Sequence, residues 1–360
     1  MKNVVYGAGV YGSIFCEELE NGGVYINYVI DQYTTKKEIF GKEIKRLDEV
    51  DLGNTNVYIS ITSPLVEEQV YKQLKELTNK KVFSFQDTLK NYPSMIEKCL
   101  ILSNCWYRKE KSEMLDYDKL NLFKPLLKDK KSLELLEKII KFRKTLDPKY
   151  YLTPDLEPQY FPSDINLFEK IDEIRFVDGG AYTGDTLESS LIEFQKLKKK
   201  IEYIISFEPD TSNIKKLNYE ILKQKKNFKD VKFFVYPCGL WSSNKILTFS
   251  NNNQANSSFV NDTSENKIQI MTIPLDETLI GSNPNYIKLD IEGAEKEAIL
   301  GMKNIIKNET PTLAICLYHK PNDLWELPLL INEINPNYNM YLRIYGSMGL
   351  ELVLYCVPKE

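Results

Sequence analysis

The sequence has one histidine in 360 residues, His319. That excludes every site needing two imidazoles, H-E-x-x-H zinc hydrolases among them. Six cysteines (Cys16, Cys99, Cys105, Cys238, Cys316 and Cys356) never form a C-x-x-C pair, so neither a zinc knuckle nor a redox dithiol is expected. Spread this widely, they read as reduced, mostly buried thiols of a cytoplasmic protein. No apolar run approaches the roughly 20 residues needed to cross a bilayer, so no membrane span is expected. A secretion signal is not expected either: Gly7, Gly9 and Gly12 break the first apolar stretch, and Glu17 and Glu18 follow it. Charge of one sign is also lacking. Lys+Arg 47 against Asp+Glu 51 gives a net charge of -4, which argues against a dominant nucleic-acid-binding face.

What is present suits an ordered globular chain, with 42% hydrophobic and 27% charged residues. Short apolar strands alternate with helical stretches, the pattern of a parallel sheet covered by helices. Three regions separate. Residues 1–92 alternate: strands at 4–6, 24–30, 57–61 and 81–85, helices at 13–21 and 64–77. Residues 93–165 form a helical connector, with apolar residues at helical spacing over 120–127 and 132–144. Pro148, Pro154, Pro158 and Pro162 then impose an extended, Tyr-rich lead-in. Residues 166–360 resume the alternation. Strands are predicted at 174–178, 202–207, 231–236, 286–290 and 312–318, and helices at 185–199, 211–226, 294–307 and 323–334. Two more strands, 245–250 and 268–273, flank an Asn-rich loop, and 339–345 with 350–357 close the chain as a hairpin.

The first region carries Gly7-Ala8-Gly9-Val10-Tyr11-Gly12 between a strand and a helix. Gly7 allows the tight turn, Gly9 lets a phosphate approach, and Gly12 permits close helix–strand packing. Asp31 ends the next strand, where an acid accepts from ribose hydroxyls. This loop admits a nucleotide. It equally admits a Rossmann-like domain that serves packing or assembly alone.

The second glycine loop is more informative. Strand 174–178 ends at Asp178, and Gly179-Gly180-Ala181-Tyr182-Thr183-Gly184 leads to a helix capped by Asp185 or Thr186. The Lys-Ser/Thr of a P-loop is missing, which disfavours triphosphates. Asp178 suits an amino-bearing or cationic ligand, and the glycines let it lie against the backbone. The following strand ends in Glu208-Pro209-Asp210, an acid placed to grip a ribose diol. Asp290 and Glu292 follow strand 286–290. His319 stands at the end of strand 312–318. All these groups lie at the C-terminal edge of one sheet, where open α/β folds bind ligands.

Asp178-Gly179-Gly180-Ala181-Tyr182-Thr183-Gly184-Asp185-Thr186, Phe207-Glu208-Pro209-Asp210 and Lys288-Leu289-Asp290-Ile291-Glu292-Gly293-Ala294-Glu295 together resemble the FkbM-type S-adenosylmethionine-dependent methyltransferases over residues 160–357. The resemblance implies a class I methyltransferase fold: a Rossmann-like, seven-stranded α/β sheet with an antiparallel strand near its C-terminus. A smaller Rossmann-like domain precedes it. The resemblance also implies that residues 178–186 cradle the methionine part and that Glu208 and Pro209 lie at the ribose. Ser257 and Ser258 match a loop near the cofactor. The acceptor class it implies is broad (sugars, macrolides and other small hydroxyl compounds), and the expectation here is a free or nucleotide-linked sugar in bacterial surface-polysaccharide synthesis. Residues 2–31 and 58–64 are similar to the nucleotide-sugar-binding domain of bacterial sugar acyltransferases. That similarity would put a nucleotide sugar on Gly7, Gly9, Gly12 and Asp31, and a homo-oligomer is a further expectation.

A sugar hydroxyl needs a proton acceptor or a metal before it attacks a methyl group. His319 is the candidate general base, oriented by Asp290 or Glu292. Mg²⁺ held by Asp290 and Glu292 is the rival. Two other functions compete: a nicotinamide-dependent oxidoreductase using the first loop, and a non-catalytic assembly protein.

Overall fold

The structure is a computed structural model that describes residues 2–250 and 267–359. Ser257 and Ser258 lie outside the described residues. The chain divides into two compact units. The first comprises Met1–Lys111, Glu137–Leu156 and Ile344–Glu351; the second comprises Ser112–Leu136, Glu157–Arg343 and Leu352–Glu360. Residues 93–165, expected as one connector, are thus shared between the two.

In the first unit the strands are β1 (Lys2–Tyr6), β2 (Tyr28–Ile30), β3 (Glu38–Ile39), β4 (Lys42–Lys45), β5 (Thr55–Ile59) and β6 (Val82–Phe83), arranged β3-β4-β2-β1-β5-β6. All pairings are parallel except β3 with β4. Val4, Ile30, Val57, Ile59 and Leu74 form the core of this sheet. The helix Pro64–Leu77 opens with proline at its first position, where the missing N–H costs nothing. Sequence periodicity extended two elements too far: 24–30 is a strand only over Tyr28–Ile30, and 81–85 only over Val82–Phe83. A helix starts at Phe85, because Ser84 caps it by accepting from the Asp87 amide.

The second unit holds β7 (Glu173–Gly179), β8 (Lys200–Phe207), β9 (Lys232–Tyr236), β10 (Gly239–Leu240), β11 (Lys245–Ser250), β12 (Lys267–Ile273), β13 (Tyr286–Leu289), β14 (Thr312–Cys316), β15 (Tyr338–Ile344) and β16 (Leu352–Pro358). Seven of these form one sheet in the order β15-β16-β14-β13-β7-β8-β9. Strands β7, β8, β9, β13 and β14 run parallel, and β16 is antiparallel to β14. This is the expected seven-stranded sheet with its antiparallel member. Strands β10, β12 and β11 make a separate small sheet. Both faces of β13 and β14 are buried, which explains their nearly unbroken apolar runs. The helix expected over 294–307 is two, Glu295–Leu300 and Lys303–Asn308, separated at Gly301 and Met302.

The order of strands fixes where a ligand can go. From β7 the chain steps outward through β8 and β9, then returns to β13 on the other side of β7. Such a reversal leaves a crevice at the carboxyl ends of the two central strands. Asp178 and Lys288 face each other in register across β7 and β13.

Candidate active site

The loop after β7 is built around Gly180. Its φ of +81° suits glycine, and a Cβ there would overlap the Asp290 carbonyl. The loop after β7 is therefore packed directly on the loop after β13. The Tyr182 amide donates to Glu208 Oε2 at 2.9 Å, and the Asp210 amide donates to Oε1 at 2.9 Å. Glu208 is buried, which pushes its carboxyl above the usual range against these hydrogen bonds. Asp210 caps the helix Thr211–Gln224 by accepting from the Ser212 and Asn213 amides. Three residues named from sequence, Glu208, Pro209 and Tyr182, thus share one corner. Gly184 leads into the helix Asp185–Lys196, whose N-terminus has no side-chain cap; its open N–H groups favour an anionic group such as a carboxylate. This set fits S-adenosylmethionine: Glu208 retains acceptor capacity for a ribose diol, and the helix start without a side-chain cap suits a carboxylate.

Asp178 stands near the end of its strand beside Lys288. Its side chain is fully buried, and Oδ1 accepts from Lys288 Nζ at 2.9 Å. Lys288 also donates to the Gly180 carbonyl at 2.7 Å. The other oxygen of Asp178, Oδ2, is buried and makes no hydrogen bond. Through Lys288, Asp178 is tied to the Gly180 carbonyl and so to the loop after β7. Burial works against charge on Lys288, but the carboxylates of Asp178 and Asp290 outweigh it and hold the ammonium form. Sequence reading passed over Lys288, which looks like a polar interruption of an apolar strand.

At the ends of β13 and β14 the structure gathers Asp290, Glu292, Glu295 and His319. His319 Nε2 lies 3.3 Å from Asp290 Oδ1 and 3.8 Å from Glu292 Oε2, while Nδ1 lies 2.9 Å from Glu295 Oε1. Asp290 accepts from the Tyr160 hydroxyl at 2.8 Å and the Tyr318 hydroxyl at 3.2 Å. Tyr160 comes from the Pro-rich lead-in, and Tyr286 and Tyr355 bond its backbone. Tyr160, Tyr182 and Glu292 all have left-handed φ, at +73°, +46° and +55°. Such a conformation costs a non-glycine residue energy that its surroundings must offset.

Electrostatics follow from this crowding. Burial opposes charge on His319, yet the Glu295 and Asp290 carboxylates raise its pKa well above the ordinary value. Burial likewise opposes charge on Asp290, but His319 and Lys288 hold its carboxyl below the usual range. Burial and the Glu295 charge push Asp323 up to about 7. An imidazolium is no proton acceptor. The general-base role expected of His319 therefore requires something to displace its proton. The orienting carboxylate on Nδ1 is Glu295, rather than either Asp290 or Glu292. Its place in the quoted motif was visible, but it read as an ordinary acid at a helix start.

In the first unit Gly7, Gly9 and Gly12 form the expected strand–loop–helix turn. A Cβ on Gly12 would overlap the Gly7 carbonyl, whereas one on Gly9 would meet nothing within 4 Å. Asp31 accepts from the Ala8, Tyr33 and Thr34 amides, each at 2.8 Å. Its first task is therefore to shape the loop. All six cysteines are buried thiols. No helix among the described residues is long and apolar enough to cross a membrane.

Residues 178–346 match the family model of the methyltransferase FkbM domain. The crystal structure of methyltransferase FkbM from Methylobacillus flagellatus KT aligns with a TM-score of 0.60 and 21% identity, covering 99% of this chain and 89% of that one. That likeness establishes the fold. The structure of the citrinin polyketide synthase CMeT domain aligns with a TM-score of 0.30 and 10% identity, over 82% of this chain and 79% of that one. Comparison with curated proteins gave no match.

Proposed function

From the premise that residues 178–346 are an FkbM methyltransferase domain, and so an S-adenosylmethionine-dependent methyltransferase, we propose that the chain methylates a hydroxyl of a sugar, free or nucleotide-linked. The observation that carries this reading is the meeting of two sets of groups at the β7/β13 reversal. Glu208 and the 179–186 loop stand on one side; Asp290, Glu292 and His319 stand on the other.

S-adenosylmethionine supplies a methyl group on a sulfonium sulfur, which leaves as a neutral thioether. The work left to the protein is alignment and proton removal. Glu208 holds the ribose hydroxyls. Residues 179–186 hold the amino-acid end, stiffened from behind by Asp178 and Lys288. The acceptor oxygen loses one proton as its bond to carbon forms. That proton leaves through the Asp290–His319–Glu292 cluster, and the fraction of His319 able to receive it rises with pH. A site lined by carboxylates and the Tyr160 and Tyr318 hydroxyls suits a polyol, whose hydroxyls both donate and accept.

The first unit supports a nucleotide reading of its own. The clear space beside Gly9 and a helix start with no side-chain cap suit a phosphate, so we assign Gly7, Gly9 and Gly12 to a nucleotide diphosphate.

The test is methyl transfer from labelled S-adenosylmethionine to a panel of nucleotide sugars and polysaccharide fragments. Label in a sugar hydroxyl is the expected result. Turnover of non-carbohydrate acceptors alone would refute the sugar assignment.

A further inference from the structure

We propose that His319, Asp290 and Glu292 bind a divalent cation of the Mn²⁺ or Zn²⁺ class at the acceptor end of the site, with Glu295 fixing the imidazole from behind. The inference rests on the methyltransferase reading only for the cation's purpose, not for its place.

His319 Nε2 is buried and makes no well-formed hydrogen bond, although Asp290 Oδ1 lies 3.3 Å away. An imidazole edge aimed at a carboxylate without bonding to it is an unfilled ligand position. Two ligands about 2.0–2.1 Å from a tetrahedral ion stand about 3.3 Å apart, the separation found between Nε2 and Asp290 Oδ1. Glu292 Oε2, at 3.8 Å from the same nitrogen, closes on an ion there with a small movement of a partly exposed side chain.

The surroundings resemble those of a metal ligand set. A ligating histidine gives its second nitrogen to a carboxylate, which fixes the tautomer and raises its basicity. Glu295 Oε1 has that position on Nδ1, and the Ile291 amide in turn donates to the same oxygen at 2.9 Å. A ligating carboxylate is itself hydrogen-bonded, as Asp290 is by Tyr160 and Tyr318. Half-buried Asp290 and buried Glu295 and His319 bring their ligand atoms within 4.8 Å of one another.

The identity of the ion follows from the donors. Mg²⁺, expected from the two carboxylates alone, prefers oxygen ligands and keeps several waters. An imidazole in the set favours Mn²⁺ or Zn²⁺. The cation would take the place of the proton on Nε2 and offset the surplus of carboxylates around one ring; with it bound, His319 would hold the ion and the acceptor's proton would pass to solvent rather than to the imidazole. Three protein ligands leave a position open toward the crevice, for a hydroxyl oxygen of the acceptor.

The test uses tag-free full-length protein, stripped with chelator and titrated with Mn²⁺ and with Zn²⁺. Calorimetry and elemental analysis should find one equivalent, and the bound Mn²⁺ resonance should show nitrogen coupling. His319→Ala should abolish this binding. Glu292→Gln, at a partly exposed position that leaves the fold unstressed, should weaken it about tenfold or more. No saturable binding, or binding unchanged in both variants, would overturn the proposal. Titration with S-adenosylhomocysteine in the same samples keeps the two readings apart. Nucleoside binding without metal binding sinks the cation site alone. Metal binding without nucleoside binding sinks the methyltransferase reading alone.

Discussion

Lys288 Nζ lies 2.9 Å from Asp178 Oδ1 across two neighbouring parallel strands, and neither side chain reaches solvent. Removing one partner of such a pair leaves a buried charge uncompensated, which costs about 3–5 kcal/mol. Asp178→Ala should therefore destabilise the second unit by that amount, read by urea unfolding. The double variant Asp178→Ala/Lys288→Met should lose clearly less than the single one. A single variant as stable as the parent would show that the pair does not organise the loop after β7.

Glu208 tests donor binding separately from stability. Its two oxygens accept from the Tyr182 and Asp210 amides; glutamine keeps one of these bonds and sets its own N–H against the other donor, so the variant's urea midpoint is measured beside its affinity. What is lost is negative charge facing a diol. A hydrogen bond to a charged group contributes about 1.5–3 kcal/mol, so Glu208→Gln should weaken S-adenosylhomocysteine about tenfold to a hundredfold. Calorimetry measures this directly, and an unchanged Kd would remove Glu208 from the ribose.

The two glycines of the first unit should part company. A methyl group on Gly12 meets the Gly7 carbonyl, an overpacking that costs about 1–3 kcal/mol. Gly12→Ala should lower the unfolding midpoint. Gly9→Val places its branches in open space and should fold normally while excluding a phosphate. Uridine diphosphate titrated into both proteins checks this: a Gly9→Val variant that binds as the parent does would leave the loop without a nucleotide role.

These contrasts mark how much could be read from the chain. Strand ends were legible because apolar runs stop there, and Asp178, Glu208, Asp290 and His319 each stand at such a stop. Their convergence followed from parallel topology alone. Directions of side chains were not legible. Glu295 opens a short helix and looks like a dipole-stabilised surface acid, but packing turns it inward onto His319 Nδ1. Tyr160 lies in a proline-rich stretch with no periodicity, and only the long-range bonds from Tyr286 and Tyr355 bring its hydroxyl to Asp290. The charged hairpin of β3 and β4, Glu38–Lys45, carries too little apolar pattern to declare itself. In each case the deciding partner is far away in sequence.

The Asp290–His319 pair makes stability depend on pH in a defined direction when no metal is bound. His319 has its folded pKa raised above the unfolded value of about 6.5. Its contribution is full below that value and is lost as pH rises through the folded one. Asp290 has its folded pKa lowered, so its contribution is full above about 3.9 and is lost as pH falls through the folded value. Between about pH 4 and 6.5 both contributions hold. Chelator-treated protein should therefore show a stability difference over His319→Asn that is flat across that window and shrinks as the solution becomes alkaline. Urea midpoints of the two proteins, measured from pH 4 to 9, check it. A difference that grew toward alkaline pH would mean that His319 is held neutral, and the carboxylates around it would then be acting on something other than an imidazolium.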